Sequence, residues 1–281
     1  MHSTRRRVFG AVLAALVLAA TAACSGGGPG STPPPVTSTA AEGLTIGISF
    51  DEPGIGLKTD SGYTGFDVQT ATYIAAKLGV PADMITWKEA NPEDRETLLS
   101  SGEVDMVVAT YSITDERKQL VDFAGPYFVA HQDLLIRRND EELTGPETLN
   151  NRKLCSVTGT TSAQWVTEHY QGKIELVEYS KFSECVDALV AGQVDAVTTD
   201  DVILAGFAAD PQYRGLLKVV GKGFTDEIYG VGLPKGSGEL VTQVNDALKD
   251  YIADGSWRAA LDSTVGPSGY SLPSPPTPGT A

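Results

Sequence analysis

Thr110, Ser112, Thr114 and Arg117 crowd into one short stretch of this chain. Residues 104–109 before them form an apolar run that reads as a buried strand. Asp115 and Glu116 after them open a short helix behind Thr114, a good N-cap, and both acids suit the positive end of that helix. A single arginine is thereby held beside hydroxyls and free backbone N–H groups. Such an arrangement grips a small carboxylate, because a guanidinium bonds it through two parallel N–H groups and the hydroxyls and amides complete the shell. The alternative is an exposed arginine that happens to follow a strand. No Ser-His-Asp arrangement and no nucleotide-binding loop accompanies this cluster. The three histidines, His2, His131 and His169, are scattered, so neither a metal site nor a cofactor is expected.

The elements that must position Arg117 follow an α/β alternation. Residues 44–50 read as a strand and residues 66–78 as a helix with apolar residues at helical spacing, stopped by Gly79 and Pro81. A strand at 85–88 precedes a helix that starts at Asn91-Pro92-Glu93-Asp94 and ends at Gly102. A longer apolar strand is expected over 130–138. The alternation then restarts, with strands at 153–157, 175–179, 194–199, 216–219 and 228–233. Helices at 161–170, 180–191, 201–209, 237–253 and 256–264 fall between and after them. Residues 98–110 (LLSSGEVDMVVAT) and 189–200 (LVAGQVDAVTTD) echo each other. Each is a helix end, a glycine and a buried strand that finishes in polar residues. Two similar α/β lobes follow, with polar strand ends facing one cleft, where open α/β sheets bind ligands.

The ends differ in composition from this body. Arg5-Arg6-Arg7 and the apolar run 8–20 read as an export signal, too short to span a membrane comfortably. Thr21-Ala22-Ala23-Cys24 resembles a bacterial lipobox, in which Cys24 would be lipidated; an ordinary signal peptide with an incidental cysteine is the alternative. The signal is taken as 1–23 and a flexible Gly/Ser/Pro/Thr tether as 24–43. Residues 267–281 are expected to be a disordered Pro-rich tail. The whole chain carries 21 basic and 36 acidic residues. Without the three signal arginines, 18 face 36, a net of −18. That balance argues against nucleic acid as a partner. Any anion site must be built from a few local cations. Beyond Cys24, the remaining pair, Cys155 and Cys185, suggests one disulfide in an exported protein, with two buried thiols as the alternative.

Seven motifs in order resemble the family 3 solute-binding proteins of ABC transporters: GFDV (65–68), SGEVD (101–105), SITDER (112–117), VDFAGPY (121–127), VTGTTS (157–162), GQVDAVTTD (192–200) and YGVGLPKGS (229–237). The resemblance implies a type II periplasmic-binding-protein-like α/β fold of two lobes joined by two crossing hinge strands. Lobe 1 would be 44–136 with 230–266, lobe 2 would be 137–229, and the hinges would lie near 134–138 and 227–231. It also implies a ligand site. Arg117 would bind an amino acid's α-carboxylate, with Thr110 and Ser112 around the head group. Thr160 and Thr161 would close on that carboxylate from the second lobe, and Asp200 would take the α-ammonium. Asp200 as a helix N-cap is the alternative, and the two roles are compatible. Arg95 has the spacing of the arginine that pairs with a distal carboxylate in the glutamate/aspartate branch; the alternative is a solvated arginine paired with Glu93 or Asp94. Phe50 would wall the cleft.

The function so implied is a monomeric binding lipoprotein on the outer face of the cytoplasmic membrane. It would capture glutamate, or else aspartate, glutamine or asparagine, for an ABC permease, without enzymatic chemistry. A sensor feeding a membrane signalling protein, or a cleft enzyme such as a dehydratase, would be the other uses of the same fold.

Overall fold

The computed structural model describes residues 43–170 and 173–280. The signal peptide, Cys24 and the tether up to residue 42 lie outside the described residues. The first lobe opens with β1 (Leu44–Ile48), followed by β2 (Asp51–Glu52), β3 (Gly56–Thr59) and β4 (Gly62–Thr64), a small antiparallel sheet of their own. Then come α1 (Phe66–Lys77), β5 (Ile85–Glu89), α2 (Arg95–Ser100), β6 (Met106–Val107), α3 (Asp115–Leu120) and the long β7 (Asp122–Ala130). The chain crosses into β8 (Gln132–Arg137), β9 (Lys153–Val157), α4 (Thr161–His169), β10 (Glu175–Tyr179), α5 (Phe182–Val190), β11 (Ala196–Asp200), α6 (Asp201–Ala209) and β12 (Leu217–Val219). It returns through β13 (Glu227–Leu233), α7 (Gly238–Ala253) and α8 (Ser256–Thr264).

Two five-stranded sheets result, ordered β5-β1-β6-β13-β7 and β10-β9-β11-β8-β12. In the first, β1 runs parallel to β5 and β6; in the second, β9 runs parallel to β10 and β11. The C-terminal ends of these parallel strands deliver Thr110, Thr160 and Asp200. Side chains such as Ile46, Phe66, Ile74, Tyr127 and Trp257 fill the first lobe's interior, and Leu135, Val197, Leu204 and Phe207 that of the second. Cys155 and Cys185 are disulfide-bonded with Cα atoms 5.6 Å apart, tying β9 to α5. Closing a loop of that length stabilises a fold by about 3–4 kcal/mol on the chain-entropy account.

The structure corrects three expectations. The strand expected over 130–138 is present as β8, which starts at Gln132, paired with Asp200, but Ala130 instead ends β7, paired with Glu227, a strand that was not expected. The lobes therefore exchange at His131 and between Val219 and Glu227, not at 136 and 229. An apolar run carries no mark of the sheet it joins. The Asn91 cap is also displaced. Asn91 bonds the Asp94 side chain, residues 92–94 form a turn, and the helix begins only at Arg95.

The third correction concerns the tail. Residues 267–280 pack on the body instead of trailing from it. The Tyr270 hydroxyl donates to Asp201 Oδ1 at 3.0 Å, Leu272 lies against the core, and the Gly279 N–H donates to the Gly125 carbonyl at 2.7 Å. The composition is poor in apolar residues, but one tyrosine and one leucine suffice where a surface exists to receive them.

Candidate functional site

Arg117 is the third residue of α3. The Thr114 side chain caps that helix, accepting the Arg117 N–H at 3.2 Å. The guanidinium then turns into the space between the lobes. Nη1 donates to the Ser112 carbonyl at 2.7 Å and Nη2 to the Gly159 carbonyl, in the other lobe, at 2.8 Å. Each Nη keeps one further hydrogen. Tyr111 lies under it, 5.0 Å from ring centroid to Cζ, and Glu96 is 3.6 Å from Nε. Burial, followed by the neighbouring Arg95, pulls the Arg117 pKa below its usual value. Gly159 permits this approach of the lobes. Its φ is +82°, and a Cβ there would sit 2.8 Å from the Glu93 backbone.

Thr110 holds a left-handed backbone, φ 46°, unusual for a β-branched residue. Its N–H donates to Asp67 Oδ2 at 2.8 Å, and Tyr127 donates to Asp67 Oδ1 at 2.9 Å. The GFDV aspartate is thus the buried brace that turns Thr110 toward the cleft. Beside it, Ser49 donates to Glu52 Oε1 at 2.8 Å, while Glu52 Oε2 is buried without a partner.

Arg95 is only 3 % exposed. Its guanidinium stacks 5.1 Å from the Tyr111 centroid, and Nε has no hydrogen-bond partner. It makes no ion pair among the described residues, so the pairing with Glu93 or Asp94 does not occur. Asp200 faces the same space from the second lobe, 5 % exposed. Tyr229 donates to its Oδ2 at 2.5 Å; Oδ1 is buried and unpartnered. Although Asp200 precedes α6, its side chain makes no cap bond. Burial, then the charge of Glu227, raises its pKa well above the ordinary carboxylate value.

Arg95, Thr110, Ser112 and Arg117 from one lobe and Thr160, Thr161 and Asp200 from the other line one cleft, closed down in this structure to about 10 Å³ of free space. Ser162, Phe182, Thr199 and Ile203 complete its walls. Reading the sequence missed these four, since only the strand-end echo pointed at Thr199 and nothing local marks Phe182 or Ile203. Two expectations change. Phe50 does not line the cleft: its ring packs 5.1 Å from Tyr63 with Lys58 Nζ 5.2 Å from it. Thr160 spends its groups locally, its N–H and hydroxyl donating to the Val157 carbonyl while the hydroxyl accepts the Ala163 N–H. Thr161 and Ser162 open α4, where the first N–H groups have no partner within the helix.

The site contains more buried acid than buried base. Burial, then Asp51 and Asp67, pushes Glu52 up to about 8 from 4.5. Between those values the folded chain keeps a proton that the unfolded chain has lost. Stability from this group is therefore full below the lower value and falls as pH rises through the upper one, by at most about 1.4 kcal/mol per pH unit. Denaturation of the ligand-free protein from pH 5 to 8 is expected to show this decline, and Glu52→Gln to flatten it; parallel slopes would remove Glu52 as its source.

Comparison with known proteins gives a consistent picture. Residues 44–266 match the family described as bacterial extracellular solute-binding proteins, family 3. The chain is 42 % identical over 234 residues to the glutamate-binding protein GluB of Corynebacterium glutamicum, covering 79 % of this chain and 78 % of that one. It is 34 % identical over 216 residues to the ABC transporter glutamine-binding protein GlnH of Bacillus subtilis, covering 76 % and 78 %. Among solved structures, an ancestral arginine-binding protein bound to glutamine superposes with a TM-score of 0.74 at 32 % identity, covering 81 % of this chain and 99 % of that one.

Proposed function

The chain belongs to the bacterial extracellular solute-binding proteins, family 3, and from that premise we propose that it captures glutamate between its lobes and delivers it to an ABC importer. One observation carries the choice of ligand: Arg95 is a buried guanidinium with no counter-ion among the described residues. A buried charge without a direct ion pair is costly, so an incoming carboxylate gains most beside Arg95. Arg117 would hold the α-carboxylate, Asp200 the ammonium through its unpartnered oxygen, and Arg95 the distal carboxylate. Glutamate and aspartate supply all three groups; glutamine and asparagine leave Arg95 with a neutral amide. The relatives named for glutamate and glutamine support this ligand class.

Capture requires no chemistry, and the protein acts as a receptor, not an enzyme. Ligand that touches both lobes favours the closed form by its differential affinity, and a permease would read that closed form. Lipidation at Cys24 would keep this monomer on the outer face of the cytoplasmic membrane. A thermal-shift screen of the standard amino acids and dicarboxylates tests the reading. Glutamate is expected to give the largest rise, since stabilisation grows as RT ln(1 + [L]/Kd). A screen in which no amino acid raises the melting temperature, or in which arginine or lysine leads, would overturn it.

A further inference from the structure

Glu227 is the first residue of β13, placed where the chain has just crossed back into the first lobe, and it is 5 % exposed. It does not wall the cleft, yet it holds two residues that do. Ser112 Oγ, from the first lobe, donates to Glu227 Oε2 at 2.7 Å. Thr161 Oγ1, from the second, donates to the same oxygen at 2.8 Å. Thr225 Oγ1 donates to Oε1 at 3.0 Å. The backbone leaves this arrangement little slack, because Ser112 bridges to Tyr229 and the Ile113 N–H donates to the Ile228 carbonyl at 2.8 Å.

A hydroxyl has one hydrogen and two lone pairs. With both hydrogens committed to Glu227, Ser112 and Thr161 have only lone pairs left for a guest in the cleft. Lone pairs accept from an ammonium and repel a carboxylate oxygen. The buried oxygen of Asp200 that lacks a partner belongs to the same cleft, and the charge of Glu227 is felt there. Two carboxylates and two accepting hydroxyls therefore make a pole for a cation, while Arg95 and Arg117 make the pole for anions.

We propose that Glu227 is the positioning residue that sets this polarity: it turns Ser112 and Thr161 into acceptors for the ligand's ammonium and ties the two lobes together on one oxygen. The expectation that the Thr161 hydroxyl closes on the ligand carboxylate is thereby reversed. The inference rests on the reading of the cleft as an amino-acid site and names a determinant of its selectivity for amino over des-amino acids.

The test compares glutamate with glutarate, which is glutamate without the ammonium group, on wild type, Glu227→Gln and Ser112→Ala, by competition calorimetry. Glu227→Gln is expected to weaken glutamate by about tenfold or more while glutarate changes by less than about threefold or tightens, because the amide brings a donor where only acceptors stood. Ser112→Ala, which spares Glu227 should the first variant fold poorly, is expected to show the same split. Equal losses for both ligands would mean a merely structural role and overturn the proposal. If glutarate binding to wild type lies below detection, a measurable gain in Glu227→Gln supports the proposal and its absence overturns it. Failure of wild type to bind any amino acid would instead overturn the function from which the inference starts.

Discussion

Arg95→Met is expected to raise the melting temperature of the ligand-free protein and, in the same molecule, to remove most of its affinity for glutamate. The two effects share one cause. Arg95 is buried, its Nε is unpartnered, it makes no ion pair among the described residues, and its guanidinium lies 5.1 Å from the Tyr111 ring centroid. Replacing a buried charge by an apolar side chain of similar length is commonly neutral or stabilising by about 1–4 kcal/mol. The lost cation–π contact takes back about 0.5–2 kcal/mol. Ligand reverses the sign, because a distal carboxylate beside Arg95 would form a desolvated ion pair whose truncation costs about 2–5 kcal/mol. Glutamine makes only a neutral contact there and should lose much less. Thermal melts without ligand and calorimetry with both amino acids decide the matter. A lower melting temperature would mean that Arg95 is satisfied in the free protein, and equal losses for glutamate and glutamine would remove it from ligand selection.

Arg117→Ala should abolish binding of every amino acid, because the α-carboxylate is common to all of them. The expected loss is again about 2–5 kcal/mol, roughly 30-fold to several thousand-fold in Kd. The substitution also deletes a direct tie between the lobes, since Nη1 and Nη2 reach carbonyls at Ser112 and Gly159. Arg117→Lys separates these contributions. It keeps the charge but loses the planar fork, so partial binding is expected. Calorimetry with glutamate, glutamine and aspartate measures the losses. A ligand that binds Arg117→Ala as tightly as wild type would show that its carboxylate lies elsewhere.

Much of this was legible in the chain because it is written in local chemistry. The Thr114 cap on α3 and the glycine stops before β6 and β11 are short-range patterns, and they place Arg117 and Asp200 at the ends of elements. The small sheet of β2, β3 and β4 was not legible, since its strands are only two to four residues long and lack clean alternation. Phe50 was misplaced for a related reason. Its aromatic character marks it for partial burial, but its partner Tyr63 belongs to that unforeseen sheet.

The sequence by itself determined two α/β lobes, a capped arginine among hydroxyls and a cysteine pair, because periodicity, caps and motif order act over a few residues. Only the tertiary structure decided that Arg95 turns inward without a counter-ion, that β7 gives way to β8 at His131, and that the tail docks. It alone brought Glu227 onto Ser112, 115 positions away along the chain. Contacts of that span depend on how the lobes pack, and no local pattern of side chains records them.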